Sequence, residues 1–409
     1  MLYQGARMFA VLWAARLLSH EDMGLWNAAQ AVALYATACQ LGVFNGMNIE
    51  VPYQTGAGRP EKARHIEAVT LSALLGVSIG IAMITMLIAG TGWSPAGMSG
   101  PQVLLTGLLC IAQLAFLFVQ MRMSARVQFG RVAILQLTAG LLTLSLTLWL
   151  VRAQGLSGLL LAFAAGWLVA AMIGWSRWEG TIAPHWDRIE GRRLIGIGSP
   201  ILLAGFAQSL MTSVDRWVLL RAEGPATLGL YTLPIIVFGG LSVLPNVMSQ
   251  QFYPRMARAF GETHRRAALR PMALQQMALS VAATGVVALV IAIGMRPVIA
   301  LVLPRYLDGV TPALALLPGA VALGIAGVGG NVLVVLGART RYLVMLCGGI
   351  ALALALELFA QRAGHGVVGV ATGASMAYVL TAIAVGVSAW RALRPGLDAA
   401  SAAAGDSAV

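Results

Sequence analysis

The chain has 409 residues, 59% of them hydrophobic and only 10% charged, with a formal net charge of +12 and a mean hydropathy of +0.82. A soluble protein must keep much of its surface polar and cannot hide so many apolar side chains, so a soluble fold is excluded. The expected class is an all-α polytopic membrane protein of about twelve transmembrane helices, whose 47 glycines and 16 prolines fit close helix contacts and local breaks.

Apolar runs between charged or Gly/Pro breaks predict spans near 2–19, 24–45, 66–89, 102–121, 132–150, 156–175, 195–219, 229–250, 272–294, 310–336, 342–360 and 367–389. The first span carries Arg7 and Arg16 and runs into Leu18-Ser19-His20-Glu21-Asp22 rather than a small-residue cleavage site, so no cleavable signal peptide is expected. It is short and begins at Met1, which fits a slightly longer natural N-terminus. Arg7 and Arg16 can be read as snorkelling to the interfaces or as positive lining of a central cleft suited to an anionic head group. The second span closes on Asn45, Asn48 and Glu50 before Pro52-Tyr53 and Gly56-Ala57-Gly58. Asn48 and Glu50 are gate candidates, Glu50 by pairing with a basic loop residue; a plain helix end is the alternative. Residues 175–193, with Trp178, Trp186, Asp187, Arg188, Arg192 and Arg193, read as an interfacial linker.

Span seven takes Asp215 and Arg216 deep into an apolar helix, where ionisable groups face a bundle interior or a water-filled cavity. Neighbouring residues point in different directions, so the two should meet different partners. Arg216 suits a phosphate or acidic sugar, Asp215 an arginine or a proton; a structural ion pair is the plainer reading. Gln30, Gln40, Gln113, Gln208 and Gln250 are further lumen candidates or simple helix-to-helix hydrogen bonders. Span ten, with Pro312 and Pro318, is expected to be broken. Glu357, near the end of span eleven, is expected to reach the external interface. The resulting domains are a six-helix bundle at 1–175, a cytoplasmic linker at 176–194, a second bundle at 195–390 and a flexible tail at 391–409.

Charge orients the chain. The even-numbered gaps and the tail hold nineteen Lys or Arg residues and the odd gaps only five, which places the even gaps and both termini in the cytoplasm. The same distribution removes nucleic acid as a partner, because the bases sit in short loops beside an anionic leaflet, and makes membrane lipids the partner instead. Gly24-Leu25-Trp26 returns as Gly229-Leu230-Tyr231 at an offset of 205 residues, half the chain, and Arg16 aligns with Arg221 at the same offset. Two copies that both send a basic loop to the cytoplasm cross the membrane an even number of times, so duplication implies six plus six in parallel repeats.

Enzyme and cofactor chemistry are not expected. There is no Walker phosphate loop, the five histidines are scattered, and Cys39, Cys110 and Cys347 form no metal spacing, so neither a cofactor nor a metal is predicted. A membrane transferase is a minor alternative, since intramembrane acids and bases can also process lipid phosphates.

The landmarks Ala15-Arg16-Leu17-Leu18, Met23-Gly24-Leu25-Trp26, Gln40-Leu41-Gly42-Val43, Glu50-Val51-Pro52-Tyr53, Ser213-Val214-Asp215-Arg216, Leu228-Gly229-Leu230-Tyr231 and Gln251-Phe252-Tyr253-Pro254-Arg255-Met256 run nearly the length of the chain. In this order they resemble the bacterial polysaccharide transporter family, which includes O-antigen flippases and lies in the multidrug/oligosaccharidyl-lipid/polysaccharide exporter superfamily. The resemblance implies a two-lobed inner-membrane flippase that moves undecaprenyl-pyrophosphate-linked oligosaccharide by alternating access, with ion coupling. It implies Arg7, Arg16, Arg216, Gln30 and Gln208 as cargo contacts and Asp215 as the coupling or cavity charge. A polysaccharide polymerase and glycosyltransferases are the implied partners. A small-molecule or drug exporter of the same superfamily, a lipid II flippase and a non-transporting scaffold of a glycan-assembly complex are the alternatives.

Overall fold

The computed structural model describes residues 2–178, 182–263 and 265–393, so the expected tail from 394 onward and residues 179–181 of the expected linker lie outside the described residues. These residues are helical throughout, in the order α1 (Leu2–Leu17), α2 (His20–Ala36), α3 (Val43–Gly56), α4 (Pro60–Gly90), α5 (Gly100–Ala125), α6 (Phe129–Trp178), α7 (Arg188–Met211), α8 (Val214–Ala222), α9 (Pro225–Leu230), α10 (Thr232–Thr263), α11 (Leu269–Val302), α12 (Val310–Val335), α13 (Arg339–Arg362) and α14 (Gly366–Ala392).

Nine helical stretches among the described residues are long and apolar enough to cross a membrane, not the twelve expected. The difference has three sources. Helices α1 and α2 have 16 and 17 residues, short of the roughly 20 that cross a bilayer. The stretch Phe129–Ser176 counts once although Gly155, at φ +58°, interrupts its helical backbone. The second predicted span is broken as well: helix α2 ends in a 3-10 turn at Thr37–Gln40, and α3 starts afresh after Gly42 at φ +94°. Gln40 is buried, and its Oε1 accepts from the Phe44 amide at 2.8 Å and caps α3.

Sequence signals set the other helix starts. Ser19 accepts from the Asp22 amide at 3.0 Å, with Glu21 and Asp22 in the first turn of α2. Ser99 and Gln102 form a capping box ahead of α5. Proline at the first position opens α4.

The chain divides into two compact units, Met1–Phe206 with Glu223–Gly229 and Ala207–Ala222 with Leu230–Val409. In unit 1, α6 packs against α1 and α5, and α4 lies on α3 and α5. In unit 2, α12 is central, in contact with α10, α11 and α14, while α8 rests on α13 and α14. The most apolar window of α4 is only 6% buried and that of α11 17%, against 61% for α12. Apolar helices left this exposed need hydrocarbon as their solvent.

The internal repeat has a physical counterpart within unit 1. A Cβ on Gly24 would overlap the Pro225 carbonyl, and a Cβ on Gly229 would overlap the His20 carbonyl. His20 and Pro225 stand at the same offset of 205 residues as the two glycines, so each copy of the motif meets the other through a bare backbone. Asn27 secures the crossing by donating to the Leu228 carbonyl at 3.2 Å. Gly24→Val and Gly229→Val are each expected to cost about 1–3 kcal/mol by overpacking. Thermal unfolding of the single and double variants checks this, the double falling short of the sum because both changes open one crossing.

Candidate functional site

The first candidate lies in unit 2. Ser209, Thr212 and Ser213 crowd the end of α7, and the last two turn their hydroxyls back on the chain: Thr212 donates to the Gln208 carbonyl at 3.1 Å and Ser213 to that of Ser209 at 2.7 Å. Such back-bonding bends helices, and the predicted span seven breaks here, α8 restarting at Val214. The break puts Asp215 in the first turn of α8, where the helix dipole favours an acid. Asp215 is buried, and its Oδ2 accepts from the Tyr231 hydroxyl at 2.8 Å while Oδ1 accepts from the Arg216 amide at 2.9 Å. Arg216 is half-buried and within electrostatic reach of Asp215, its Nε enclosed without an acceptor. Gln208, half-buried one turn before the break, belongs to the same unit.

Glu357 corrects an expectation. It does not reach the external interface: its residue exposure is 0%, and neither carboxylate oxygen has a hydrogen-bond partner. The reason is close approach of α13 to α14, where Gly373 packs on the Leu356–Glu357 backbone. Glu357 lies within electrostatic reach of Asp215, and the buried Tyr231 and Tyr378 complete the group. Arg216 can offset one of these two buried carboxylates, and the other can take up a proton or a small cation.

The second candidate lies in unit 1. The Arg7 guanidinium stands 4.9 Å from the Trp167 ring centroid and 5.5 Å from those of Tyr3 and Phe163. Trp167 Nε1 donates to the Tyr3 hydroxyl at 2.9 Å and fixes the cage. The α1 face carrying Arg7 packs on α6, so Arg7 is held by aromatic faces instead of snorkelling free. Its Nε is enclosed without an acceptor. Trp26 packs on Phe163 at 4.5 Å, and one turn further along α2 the Gln30 Nε2 is likewise enclosed without an acceptor. Arg7 and Gln30 therefore flank one aromatic cluster with donors in excess, an arrangement that suits an anionic or acceptor-rich group. Arg16 is exposed at the other end of α1, away from this cage.

The gate candidates are only half brought together. Asn48 is exposed, whereas Glu50 is 9% exposed and accepts from Arg193 Nη2 at 2.6 Å, with Gln54 donating to the same oxygen at 3.2 Å. Arg193 also donates to Glu190 at 3.0 Å. The start of α7 is thereby tied to α3, and the backbones touch as well, since a Cβ on Gly46 would stand 2.5 Å from the Leu194 carbonyl oxygen. Asp187 caps α7 by accepting from the Ile189 and Glu190 amides at 2.9 and 3.2 Å, and lies 3.1 Å from His65 Nε2. The Glu190 amide first, and His65 next, hold the Asp187 carboxyl below its ordinary value of 3.8. A depressed folded-state value means that this cap is fully present above the ordinary value and is lost as pH falls through the lower one. Hydrogen exchange at the Ile189 and Glu190 amides should stay protected from the ordinary carboxylate range up to neutrality and open only in stronger acid.

Sequence reading missed one further cluster. Glu67, fully buried on α4, accepts from Arg122 Nε at 3.1 Å and from Arg126 Nε and Nη2, both at 2.7 Å. Arg122 is itself 1% exposed and lies over the Trp175 ring at 4.9 Å. Counting the two arginines as loop charges concealed the pairing; Glu67 standing among apolar residues at the start of a span was the available signal.

Comparison with known proteins places this geometry in a fold. A MatE family profile matches residues 1–98, and no curated protein matches the sequence. A multidrug resistance MATE family transporter of the MOP superfamily, in its inward-facing conformation, superposes with a TM-score of 0.82 at 15% identity, over 96% of this chain and 94% of that one. A MOP superfamily transporter from Pyrococcus furiosus, described as having a binding pocket of reverse polarity, gives 0.72 at 14% identity over 96% and 93%. The lipid II flippase in an inward closed conformation gives 0.72 at 11% identity over 94% and 85%. At these identities the likeness is one of fold: the chain is an all-α, multi-pass membrane protein with a MATE-like fold. The similarity extends across the superfamily and does not single out the polysaccharide branch that the sequence landmarks resemble.

Proposed function

We propose that the chain is an alternating-access secondary exporter of the MATE type, carrying a small amphipathic cargo and driven by a cation gradient. The observation that carries the reading is Glu357, wholly buried with no partner for either oxygen, in electrostatic reach of the buried Asp215. A carboxylate in that position costs several kcal/mol unless it is neutralised, so uptake of a proton or cation changes which conformation of unit 2 is favoured. A ligand shifts a conformational equilibrium only by its differential affinity for the two states, and a site this dry on one side of a cycle and wet on the other supplies such a difference. Transport needs no bond making, which agrees with a chain that lacks a phosphate loop.

Cargo chemistry follows from unit 1. With Arg7 and Gln30 both offering enclosed donors, an anionic or acceptor-rich amphiphile is favoured over an organic cation. The aromatic faces of Phe163, Trp167 and Tyr3 supply its apolar contacts. Counterflow into proteoliposomes tests this with a matched pair of amphiphilic dyes, one anionic and one cationic. The anionic dye should be preferred at least tenfold, and Arg7→Gln should lower its transport about tenfold through loss of a charge-assisted contact. Preference for the cation, or indifference to Arg7→Gln in a folded protein, would exclude this cargo assignment.

A second reading, a flippase for undecaprenyl-pyrophosphate-linked oligosaccharide, is favoured by one further observation. Arg7 and Arg16 both lie on α1, and the landmarks of span one and of residues 213–216 follow the order of the polysaccharide branch. In this reading Arg7, Arg16 and Gln30 are candidate cargo contacts of unit 1 and Arg216 and Gln208 those of unit 2, the tail stays in lipid, and a polymerase and glycosyltransferases work alongside. Including the lipid-linked substrate in the same counterflow panel separates the two readings. A scaffold without transport activity would tolerate neutral residues at both Asp215 and Arg216.

A further inference from the structure

Away from both candidate sites, the arginine-rich end of unit 1 holds a cavity of about 390 Å³ between the last turn of α3, the first turn of α4 and the last turn of α5. Arg64 and Arg126 are its charged lining residues, and the walls are otherwise apolar or hydroxylic, from Val51, Pro52, Thr55 and Val127. Arg126 is fixed in place by its two-point pairing with the buried Glu67, so it presents a charge that is pre-oriented and not a freely moving surface base. Arg64, also in the lining, is exposed. The first turn of α4 adds backbone amides that no side chain caps, at the start of a 31-residue helix.

The position of the cavity within the chain identifies its surroundings. The apolar run of α4 begins beyond Glu67, one turn after Arg64, and that of α5 ends immediately before Arg122, so the cavity lies at the ends of both apolar runs, where hydrocarbon gives way to water. The loop after α5 carries a second sign of purpose. Val127 takes a left-handed backbone at φ +60°, a conformation that glycine adopts at helix ends and β-branched residues avoid, and its side chain is 66% exposed on the rim. An apolar side chain held there, next to two arginines, matches a ligand that is anionic at one end and apolar at the other.

We propose that this cavity is a binding site for the phosphodiester head group of an anionic phospholipid, with Arg64 and Arg126 pairing the phosphate and Val51, Pro52 and Val127 receiving the glycerol and the start of an acyl chain. Basic pockets between transmembrane helices on the cytoplasmic side bind such head groups, and the positive-inside distribution assigns this end to the cytoplasm. A lipid seated here braces α3, the helix whose Glu50 holds Arg193 at the start of α7. The site is independent of what the protein carries.

Native mass spectrometry of the purified full chain, titrated with phosphatidylglycerol or phosphatidylcholine, tests it without any transport readout. The first phosphatidylglycerol should bind at least tenfold more tightly than phosphatidylcholine. Arg64→Gln should weaken it about tenfold, the loss of one charge-assisted pair. Thr55→Trp, which fills the cavity without altering charge, should weaken it at least as much, and Arg131→Gln, in the first turn of α6 and outside the lining, should leave it unchanged. Circular dichroism and unfolding temperature establish that each variant is folded. Equal binding of the two lipids, or binding unaffected by Arg64→Gln and Thr55→Trp, overturns the proposal. Displacement of phosphatidylglycerol by millimolar glycerol phosphate, with the same dependence on Arg64 and Thr55, would reassign the cavity to a soluble phosphate and overturn the lipid assignment.

Discussion

Replacing Glu67 with glutamine is expected to destabilise unit 1 by about 3–5 kcal/mol, the largest loss anticipated for any single substitution in the chain. The carboxylate is wholly buried, and two guanidinium groups donate to it through three hydrogen bonds of 2.7–3.1 Å. Arg122, 1% exposed, cannot follow its charge back to water when the partner is neutralised. Arg126, with 30% side-chain exposure, can turn outward, so the effect arises mainly from Arg122. Removing that charge as well should therefore recover much of the loss, and Glu67→Gln with Arg122→Met should be more stable than Glu67→Gln alone. Denaturant titration of the purified variants checks both steps. The exposed pair Arg258–Glu262 sets the scale at the other end: its side chains are 82% and 61% exposed, and breaking it should change stability by no more than about 0.5 kcal/mol.

Glu357→Gln and Asp215→Asn should behave in the opposite way, folding normally and losing gradient-driven transport at least a hundredfold. Glutamine keeps the shape of Glu357 but removes a charge that the bundle leaves without partners, so thermal stability should hold or rise. Asp215 differs, because its carboxylate has the Tyr231 hydroxyl, the Arg216 amide and a helix N-terminus around it. Asparagine retains the acceptor for Tyr231 and should cost little stability, yet it can no longer change charge. Tyr231→Phe removes one bond from a carboxylate that keeps the others and should lower transport about tenfold. Parallel measurements of unfolding temperature and gradient-driven flux distinguish a coupling role from a bracing one: bracing predicts that flux and stability fall together.

Composition alone carried the fold class, because nothing else explains α4 and α11, whose apolar windows remain largely unburied. Apolar runs were a poorer guide to continuity. One predicted span crosses Leu41-Gly42 and another Thr212-Ser213, yet both are breaks, one made by a glycine at φ +94° and the other by hydroxyls bonded back to the helix. The Gly24 and Gly229 pairing was visible as a repeat, but its purpose was not, since a sequence match says nothing about which backbone a missing Cβ would strike. Asp215 stood out because a charge in an apolar run is conspicuous. Glu357 is equally charged but lies five residues from Arg362, and proximity to a helix end suggested an interface; only packing of α14 against α13 reveals that it is sealed. Arg7 was legible as an anomaly and not as a caged cation, because Phe163 and Trp167 come from α6, more than 150 residues away.

The measurement that bears most directly on the central claim is flux of an anionic amphiphile into proteoliposomes under an imposed proton or sodium gradient, with intact protein and Glu357→Gln reconstituted at equal density. Protein-dependent accumulation that reverses when the gradient is reversed, and that collapses in Glu357→Gln while the fold is retained, is the predicted result. Movement that ignores both gradients, or that survives unchanged in Glu357→Gln, would contradict coupling through the buried acids of unit 2.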